Sequence, residues 1–421
     1  MIAMLPRQWL LPVGVVIGYA LLMGTNPVRH SLMDGLRVVR RYTRIWAILA
    51  ALGLCYALFH VGLTAYFFGA LPLEFRPAFG WRPDWNIPPW SPELREARSL
   101  PDWLGVLLAD PRGQAIYQGA LDGLESVAGL FNIAVTTFPI CAAAAVMLLC
   151  NWENHHRTLR KALQRRYGRR GHAVHAFILL CAVSAILAPF LYSPILRHLN
   201  TSVPGLSLIR WASIIDWFSS LFADLFGTGV QIYLILIVYT WLRGLNWTPV
   251  HLMDLAIRRF SFVVKWAAVV MAFRSILIDL PQLSALVCRF SDPVYLERTL
   301  NYIDYVARPL LALFLIFFAT MQITLTFHSE TLQRAKAHHW QFLRKFWPPF
   351  TWFVLIAAIH LFALGFLNRW LLLGFGGDTS SAGMLWSLVY PLVAAFLVAW
   401  LLAAWVALFR RCETGREEIP F

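Results

Sequence analysis

Nine long apolar runs, separated by short polar segments, constrain the fold of this chain more than any other feature of its sequence. The runs are 8–24, 45–70, 126–150, 173–195, 225–242, 262–280, 306–327, 350–373 and 384–409. A hydrocarbon core of ~30 Å is crossed by about 20 helical residues, and most runs reach or approach that length. Inside the hydrocarbon, every backbone N–H and C=O must be hydrogen-bonded within its own segment, which here favours helices. The sequence therefore predicts an all-α integral membrane protein, a polytopic bundle of about nine transmembrane helices.

Composition excludes a water-soluble domain. The chain has 421 residues, of which 59% are hydrophobic and 14% charged, whereas soluble domains are about half apolar and a quarter charged. The net charge of +14 comes from basic residues in the short segments between apolar runs. That placement is typical of membrane topology and of contact with anionic lipid headgroups. We therefore expect membrane lipids as partners and no nucleic acid.

The basic residues also predict the orientation. If the helices alternate in direction, the segments on one side carry 22 Lys and Arg in 95 residues, and those on the other side 10 in 129. Cytoplasmic loops carry the excess of Lys and Arg. The sequence thus predicts a multi-pass protein, in a bacterial cytoplasmic (inner) membrane, with its N-terminus outside and its C-terminus in the cytoplasm.

Short motifs that occur twice in the sequence are compatible with a tandem duplication of a four-helix unit. Leu-Met-Asp occurs at 32–34 and 252–254, and each copy is followed by an arginine pair and a tryptophan at similar distances. Thr-Leu occurs at 158–159 and 331–332, after the third and the seventh run. Matches this short also arise by chance. With the duplication, the chain divides into an N-terminal helix (1–30), a first four-helix unit (31–244) with a long external loop (71–125), and a second unit with a short cytoplasmic tail (245–421).

Arg274 is the most informative single residue. It lies twelve residues into the sixth run, ~18 Å along a helix that rises 1.5 Å per residue. An arginine at that depth is expected to face protein or a water-filled cavity, unless its head extends to the external interface. Asp279 lies five residues further, about 140° around a regular helix, so we expect the partner of Arg274 on another helix.

Polar residues in other runs are candidates for a substrate path. Asn132 precedes Pro139, Gln231 follows two glycines, and Gln322 lies between threonines. Backbone carbonyls freed near such interruptions can bind a substrate, but the same residues also serve in interhelical packing. The predicted path consists of these three residues with Arg274, Asp279, His60 and His360.

His60 and His360 lie at similar depths in the second and the eighth run. Haem ligation or proton relay is one interpretation. Hydrogen bonding across helices is the other, and we favour it because no helix carries two histidines at a spacing suited to stacked haems. The six cysteines form neither a CxxC motif nor a cluster with histidine. The sequence therefore predicts no metal site and no cofactor.

The long segment 71–125 combines tryptophans with carboxylates, and Asp84, Asp102 and Asp110 are the acids that a transferase would use there. The chain has no Walker A, HExxH, GxSxG or kinase motif, so no catalytic residue is predicted. The stretch 206–222 is interrupted by charges, and we expect it to lie in the external interface.

Lipid headgroup contact is assigned to arginines of the basic segments. They are Arg40, Arg41, Arg165, Arg166, Arg169, Arg170, Arg258 and Arg259.

Two classes of function fit these features best. The first is a transporter or permease-like subunit without its own nucleotide site. The second is a non-catalytic scaffold or assembly subunit in a complex with other membrane subunits. A membrane-bound transferase acting on a lipid-linked substrate is third, so an enzyme is the less favoured outcome.

The charge distribution predicts which segments an impermeant thiol reagent reaches in intact cells. In a chain whose native cysteines are replaced by serine, Arg166→Cys and Lys336→Cys should be shielded, because both positions lie in basic, cytoplasmic segments. Trp85→Cys should react. Labelling of Arg166→Cys from outside would contradict the orientation.

Overall fold

A computed structural model describes residues 26–41, 51, 111–132, 138–150, 154–191, 206–288, 293–328, 331–374 and 381–414. Within these ranges nearly every residue is helical and no strand occurs. The helices are α1 (Asn26–Arg40), α2 (Pro111–Phe131), α3 (Phe138–Leu149), α4 (His155–Tyr167), α5 (Gly171–Leu191), α6 (Leu206–Leu242), α7 (Pro249–Arg274), α8 (Leu280–Cys288), α9 (Pro293–Tyr302), α10 (Arg308–Phe317), α11 (Met321–His328), α12 (Leu332–Gly374) and α13 (Ser381–Thr414). π-Helical turns, at Ser275–Asp279 and Ile303–Ala307, join α7 to α8 and α9 to α10.

Six helical segments in the described part are long and apolar enough to cross a membrane. They are His155–Leu187, Trp217–Leu242, Pro249–Ala285, Arg298–Phe317, Leu332–Leu372 and Val389–Glu413. Each overlaps one of the last six predicted runs. The runs 8–24 and 45–70 lie outside the described residues, apart from residue 51. The prediction of an all-α, multi-pass membrane protein is confirmed, whereas the count of nine helices is not.

Two sequence expectations about individual helices are wrong. The run 126–150 is not one helix, because α2 ends at Phe131 and α3 begins at Phe138. The stretch 206–222 is not a separate interfacial helix, because it is the first part of the continuous α6. The charges that appeared to exclude it from a span instead lie on a helix of 37 residues, ~55 Å long.

Large apolar side chains on these segments remain exposed in the isolated chain. Leu180, Ile276 and Leu313 are 50%, 64% and 55% exposed. In water, large exposed apolar patches would be a liability. On helices apolar enough to span a membrane, such side chains are suited to contact with lipid tails.

Close helix packing sets the position of α2. An added Cβ at Gly123 would lie 2.7 Å from Phe362 Cα on α12, and one at Gly119 3.1 Å from the carbonyl oxygen of Gly365. Glycines four residues apart let two backbones approach, a common means of association between membrane helices. Thus α2 is held directly against α12.

The short helix α1 is fixed to the C-terminal half of α13. Asp34, 2% exposed, accepts a hydrogen bond from Arg411 Nη2 at 2.5 Å, and Trp400 Nε1 donates to the Leu32 carbonyl at 2.7 Å. Arg37 and Arg40 are exposed on α1, and Arg37 Nη1 also lies 3.5 Å from Asp34 Oδ1. The basic segment 25–44 therefore contains a packed helix as well as a charged surface.

The division into two four-helix units stays a prediction. Run 45–70, the first helix of the first unit, lies outside the described residues, so the two units cannot be superposed helix by helix.

The glycine contact predicts an asymmetric response to alanine. Gly123→Ala should lower the thermal stability of the purified protein, since overpacking typically costs about 1–3 kcal/mol and helix propensity returns about 1 kcal/mol at most. Gly229→Ala in α6 is the matched control, because its Cβ would lie 3.9 Å from the Phe260 ring, an ordinary contact. The measurement is the fraction that remains monodisperse after heating in detergent. Equal melting of the two variants would contradict the close packing.

Candidate intramembrane polar site

Arg274 faces the interior of the bundle, as its depth predicts. Its Nη1 lies 2.6 Å from Asp224 Oδ2 on α6, and the two side chains are 13% and 5% exposed. Both residues belong to segments apolar enough to span a membrane. The partner is therefore a carboxylate on another helix, and the alternative in which Arg274 extends through lipid to the interface is excluded.

The expectation that Asp279 lies on a different helical face from Arg274 is wrong. Arg274 Nε is 3.6 Å from Asp279 Oδ1, whose side chain is 7% exposed. The cause is the π-turn between them, in which the Leu280 N–H bonds the Ser275 carbonyl, five residues back. A turn closed over five residues brings residues five apart onto one face. Arg274 thus lies between two buried carboxylates.

Further polar groups extend this cluster. Ser275 Oγ donates to Asp279 Oδ2 at 3.0 Å, and Trp217 Nε1 of α6 lies 3.5 Å from Ser275 Oγ. The hydroxyl holds the second carboxylate in place. The cluster therefore joins α6 to α7 through charged and neutral contacts within the membrane-spanning part.

Proline explains where the π-turns form. Pro281 and Pro309 each follow the end of a π-turn by two residues. A proline ring clashes with the carbonyl four residues earlier, and that carbonyl lies within the π-turn in both cases. Widening the turn relieves the clash and, at the first site, rotates Asp279 toward Arg274.

A second ion-pair group adjoins the second π-turn. Arg308 donates from Nε and Nη2 to the two oxygens of Glu125 on α2 at 2.7 and 2.8 Å. Its Nη1 donates to Asp304 Oδ1 at 3.1 Å, and Tyr117 donates to the Asp304 carbonyl at 2.7 Å. Burial first, and then the nearby Tyr305 and Asp304, raise the pKa of Tyr117, so the phenol stays protonated.

The same end of α2 is bound to α12. Arg369 Nε donates to Asp122 Oδ2 at 3.0 Å. These carboxylates lie beside the glycines that bring α2 close to α12. Close packing and ion pairing therefore act on the same stretch of helix.

Three residues of the predicted path, Gln231, Asn132 and Gln322, are buried amides. Gln231 is 1% exposed and donates to the Phe131 carbonyl at 3.2 Å, at the end of α2. Asn132 and Gln322 are each 2% exposed, and Asn132 Oδ1 and Gln322 Nε2 have no hydrogen-bond partner within the described ranges. Gln322 follows the Phe318–Thr320 turn that separates α10 from α11. Both amides thus lie at interruptions of helices.

His360 makes one contact within its own helix and one with α13. Its Nδ1 lies 2.8 Å from the Ile356 carbonyl of its own helix, and its ring packs edge-on against Trp400. The expected bond across helices is not the one observed for Nδ1. His60, with Asp84, Asp102 and Asp110, lies outside the described residues.

The arginines assigned to lipid headgroups lie on the surface, with one exception. Arg259 is partly buried, and Arg258 also pairs with Asp254 at 2.7 Å. The others, namely Arg40, Arg41, Arg165, Arg166, Arg169 and Arg170, are exposed. Contact with anionic lipid remains an expectation for this set.

Two buried polar residues were not evident from the sequence. Asp224 immediately precedes the fifth run and was not distinguished from loop residues. His339, fully buried with its Nδ1 2.6 Å from Thr320 Oγ1, lies in a segment assigned to the cytoplasm by charge. The sequence signal for the distorted turn is Pro281, two residues after Asp279.

The helices and the buried charges define a class, a multi-pass α-helical membrane protein with an ion-pair cluster buried between two helices that are apolar enough to span. Comparison with family models, with curated proteins and with solved structures finds no match for this chain. The assignment to this class therefore rests on the sequence and structure of this chain alone.

The buried pair predicts a large difference between two arginines of α7. Arg274→Leu should lower the unfolding free energy by about 3–5 kcal/mol, because it leaves buried carboxylates without their cation. Arg258→Leu is the control: its ion pair is equally short, but its side chain is 62% exposed, so about 0–1 kcal/mol is expected. Denaturation in mixed micelles measures both. Similar losses for the two variants would show that Arg274 is not effectively buried.

Proposed function

We propose that this chain is a transporter or permease-like subunit of the bacterial cytoplasmic membrane, with its C-terminus in the cytoplasm. The observation that carries the proposal is the Arg274 cluster, with Asp224 and Asp279 buried inside segments that can span a membrane. The chain has no nucleotide-binding motif in its sequence, so any use of ATP would depend on another chain.

The free-energy cost of burying the charges of the Arg274 cluster supports this function. Ionisable residues inside a membrane are expensive to bury, and they commonly mark the pathway of an ion or substrate. Stability alone gives little reason for them, because apolar residues of similar volume often stabilise as well as a buried ion pair does. One guanidinium and two carboxylates have a formal sum of −1, which suits a site that exchanges a proton or a small cation.

The backbone beside the cluster also supports transport. π-Turns are uncommon and occur frequently at functional sites. Interrupted helices near mid-membrane provide free backbone groups for a substrate, and the amides of Asn132 and Gln322 lie at such interruptions. A π-turn next to a buried charge gives α7 a place to change its register while Arg274 keeps a carboxylate partner.

A scaffold or assembly subunit is the second candidate, and one observation favours it. Arg274 is already matched by a carboxylate at 2.6 Å, which is what a lock between α6 and α7 requires. A transferase is the third, and its candidate carboxylates lie outside the described residues.

Alternating access separates the first two candidates without knowledge of the substrate. Ser275→Cys, in a chain whose native cysteines are replaced by serine, places a thiol of nearly the same shape within the cluster. If the protein transports, a charged, impermeant thiol reagent should reach it both in intact cells and in inside-out vesicles. Labelling from one side only, or from neither, would favour the scaffold.

The adjacent residue provides the control for this experiment. Ile276 is 64% exposed and faces the lipid, so Ile276→Cys should not react with the charged reagent from either side. Reaction of Ile276→Cys would show that the reagent enters the bilayer, and the reagent would then be replaced by a larger one.

A further inference from the structure

Two histidines and a glutamate meet where three helices come together. His328 is the last residue of α11, His338 lies in α12, and Glu413 lies near the end of α13. Each offers one donor atom, and the three donor atoms lie within 4.8 Å of one another. His328 Nε2 is 2.7 Å from Glu413 Oε1, and the two imidazole rings are 4.9 Å apart.

Arg410 holds the carboxylate of this cluster in position. Arg410 Nη1 donates to Glu413 Oε2 at 3.0 Å, and the guanidinium lies 5.0 Å from the Tyr239 ring centroid and 5.2 Å from that of Phe327. One oxygen of Glu413 is therefore occupied, and the other faces the histidines. Carboxylate ligands of metal ions are themselves hydrogen-bonded in this manner, which fixes their orientation.

We propose that His328, His338 and Glu413 bind a divalent transition-metal ion such as Zn²⁺. Two imidazoles and one carboxylate are a known ligand set of zinc, with a fourth position left for water or another ligand. Ligand atoms at 2.0–2.1 Å from a tetrahedral ion lie ~3.3 Å apart. The donor atoms, now within 4.8 Å of one another, would adjust toward that spacing when the ion binds.

The binding step exchanges protons for the ion. The hydrogen bond between His328 and Glu413 requires a proton between Nε2 and Oε1. The metal takes the place of that proton, which leaves to solvent, and both nitrogens that bind the ion must be unprotonated. Imidazole ligands favour transition metals over Mg²⁺ and Ca²⁺, and the positive charge of Arg410 disfavours cations that bind by charge alone.

The site would join three helices at the end of the bundle opposite to the Asp122–Arg369 pair. Trp386 of α13 donates to Asn368, next to Arg369, whereas Glu413 lies near the other end of α13. Between His338 and Arg369, α12 is kinked at Phe346. An ion at this end would tie the C-terminal ends of α11 and α13 to α12. The proposal does not depend on transport, because the cluster shares no residue with the Arg274 site.

Titration of the purified full-length chain with Zn²⁺ tests this proposal. After treatment with a chelator, the protein in mild detergent should bind one Zn²⁺ per chain, and Mg²⁺ should give no signal. Glu413→Gln and His338→Ala should each weaken Zn²⁺ binding by at least about tenfold, as expected for the loss of a ligand. Co²⁺ in place of Zn²⁺ should give the visible absorption of a tetrahedral site, which both variants should lose.

The chain offers a control in a second histidine pair. His156 and His175 have ring centroids 4.6 Å apart, and their helices, α4 and α5, contribute no residue to the proposed site. His156→Ala should therefore leave Zn²⁺ affinity unchanged. Absence of saturable Zn²⁺ binding, unchanged affinity in both ligand variants, or loss of binding in His156→Ala would each overturn the proposal.

Discussion

A hydrocarbon solvent cannot hydrogen-bond, and every other feature of this protein depends on that constraint. It places the backbone in helices and leaves apolar side chains such as Ile276 on the outside. Charged side chains then need partners within the protein. Asp224 meets Arg274 at 2.6 Å, and Asp34 meets Arg411 at 2.5 Å. The interior of the bundle is therefore where its polar chemistry is concentrated.

The distorted turns of the helices position charged side chains as much as the regular turns do. In a regular α-helix, Arg274 and Asp279 would point about 140° apart. The π-turn before Pro281 brings them within 3.6 Å. A second π-turn precedes Pro309, next to Arg308 and its two acidic partners. In both places a proline disturbs the hydrogen bonding of the backbone, and the disturbance coincides with an ion-pair group, buried at the first site and partly exposed at the second.

Packing and electrostatics reinforce each other along α2. Gly119 and Gly123 let this helix approach α12 closely, and Asp122 and Glu125 then reach arginines on two different helices. These ion pairs are partly exposed, so they add specificity of position more than stability. The contacts of α2 thus fix the helix packing at one end of the bundle, and the contacts of α1 with α13 fix it at the other end.

The sequence by itself determined that the chain belongs in a membrane and that it is helical, because length and hydropathy act locally along the chain. It favoured an inward direction for Arg274 and left the external interface as the alternative. It also marked six segments that prove long and apolar enough to span. Only the tertiary structure decided which carboxylates surround Arg274, that α2 ends at Phe131, and that His328, His338 and Glu413 converge. The physical reason is that these contacts join residues far apart in the chain, and the angle at which each helix presents a side chain depends on local π-turns and on the neighbour against which it packs.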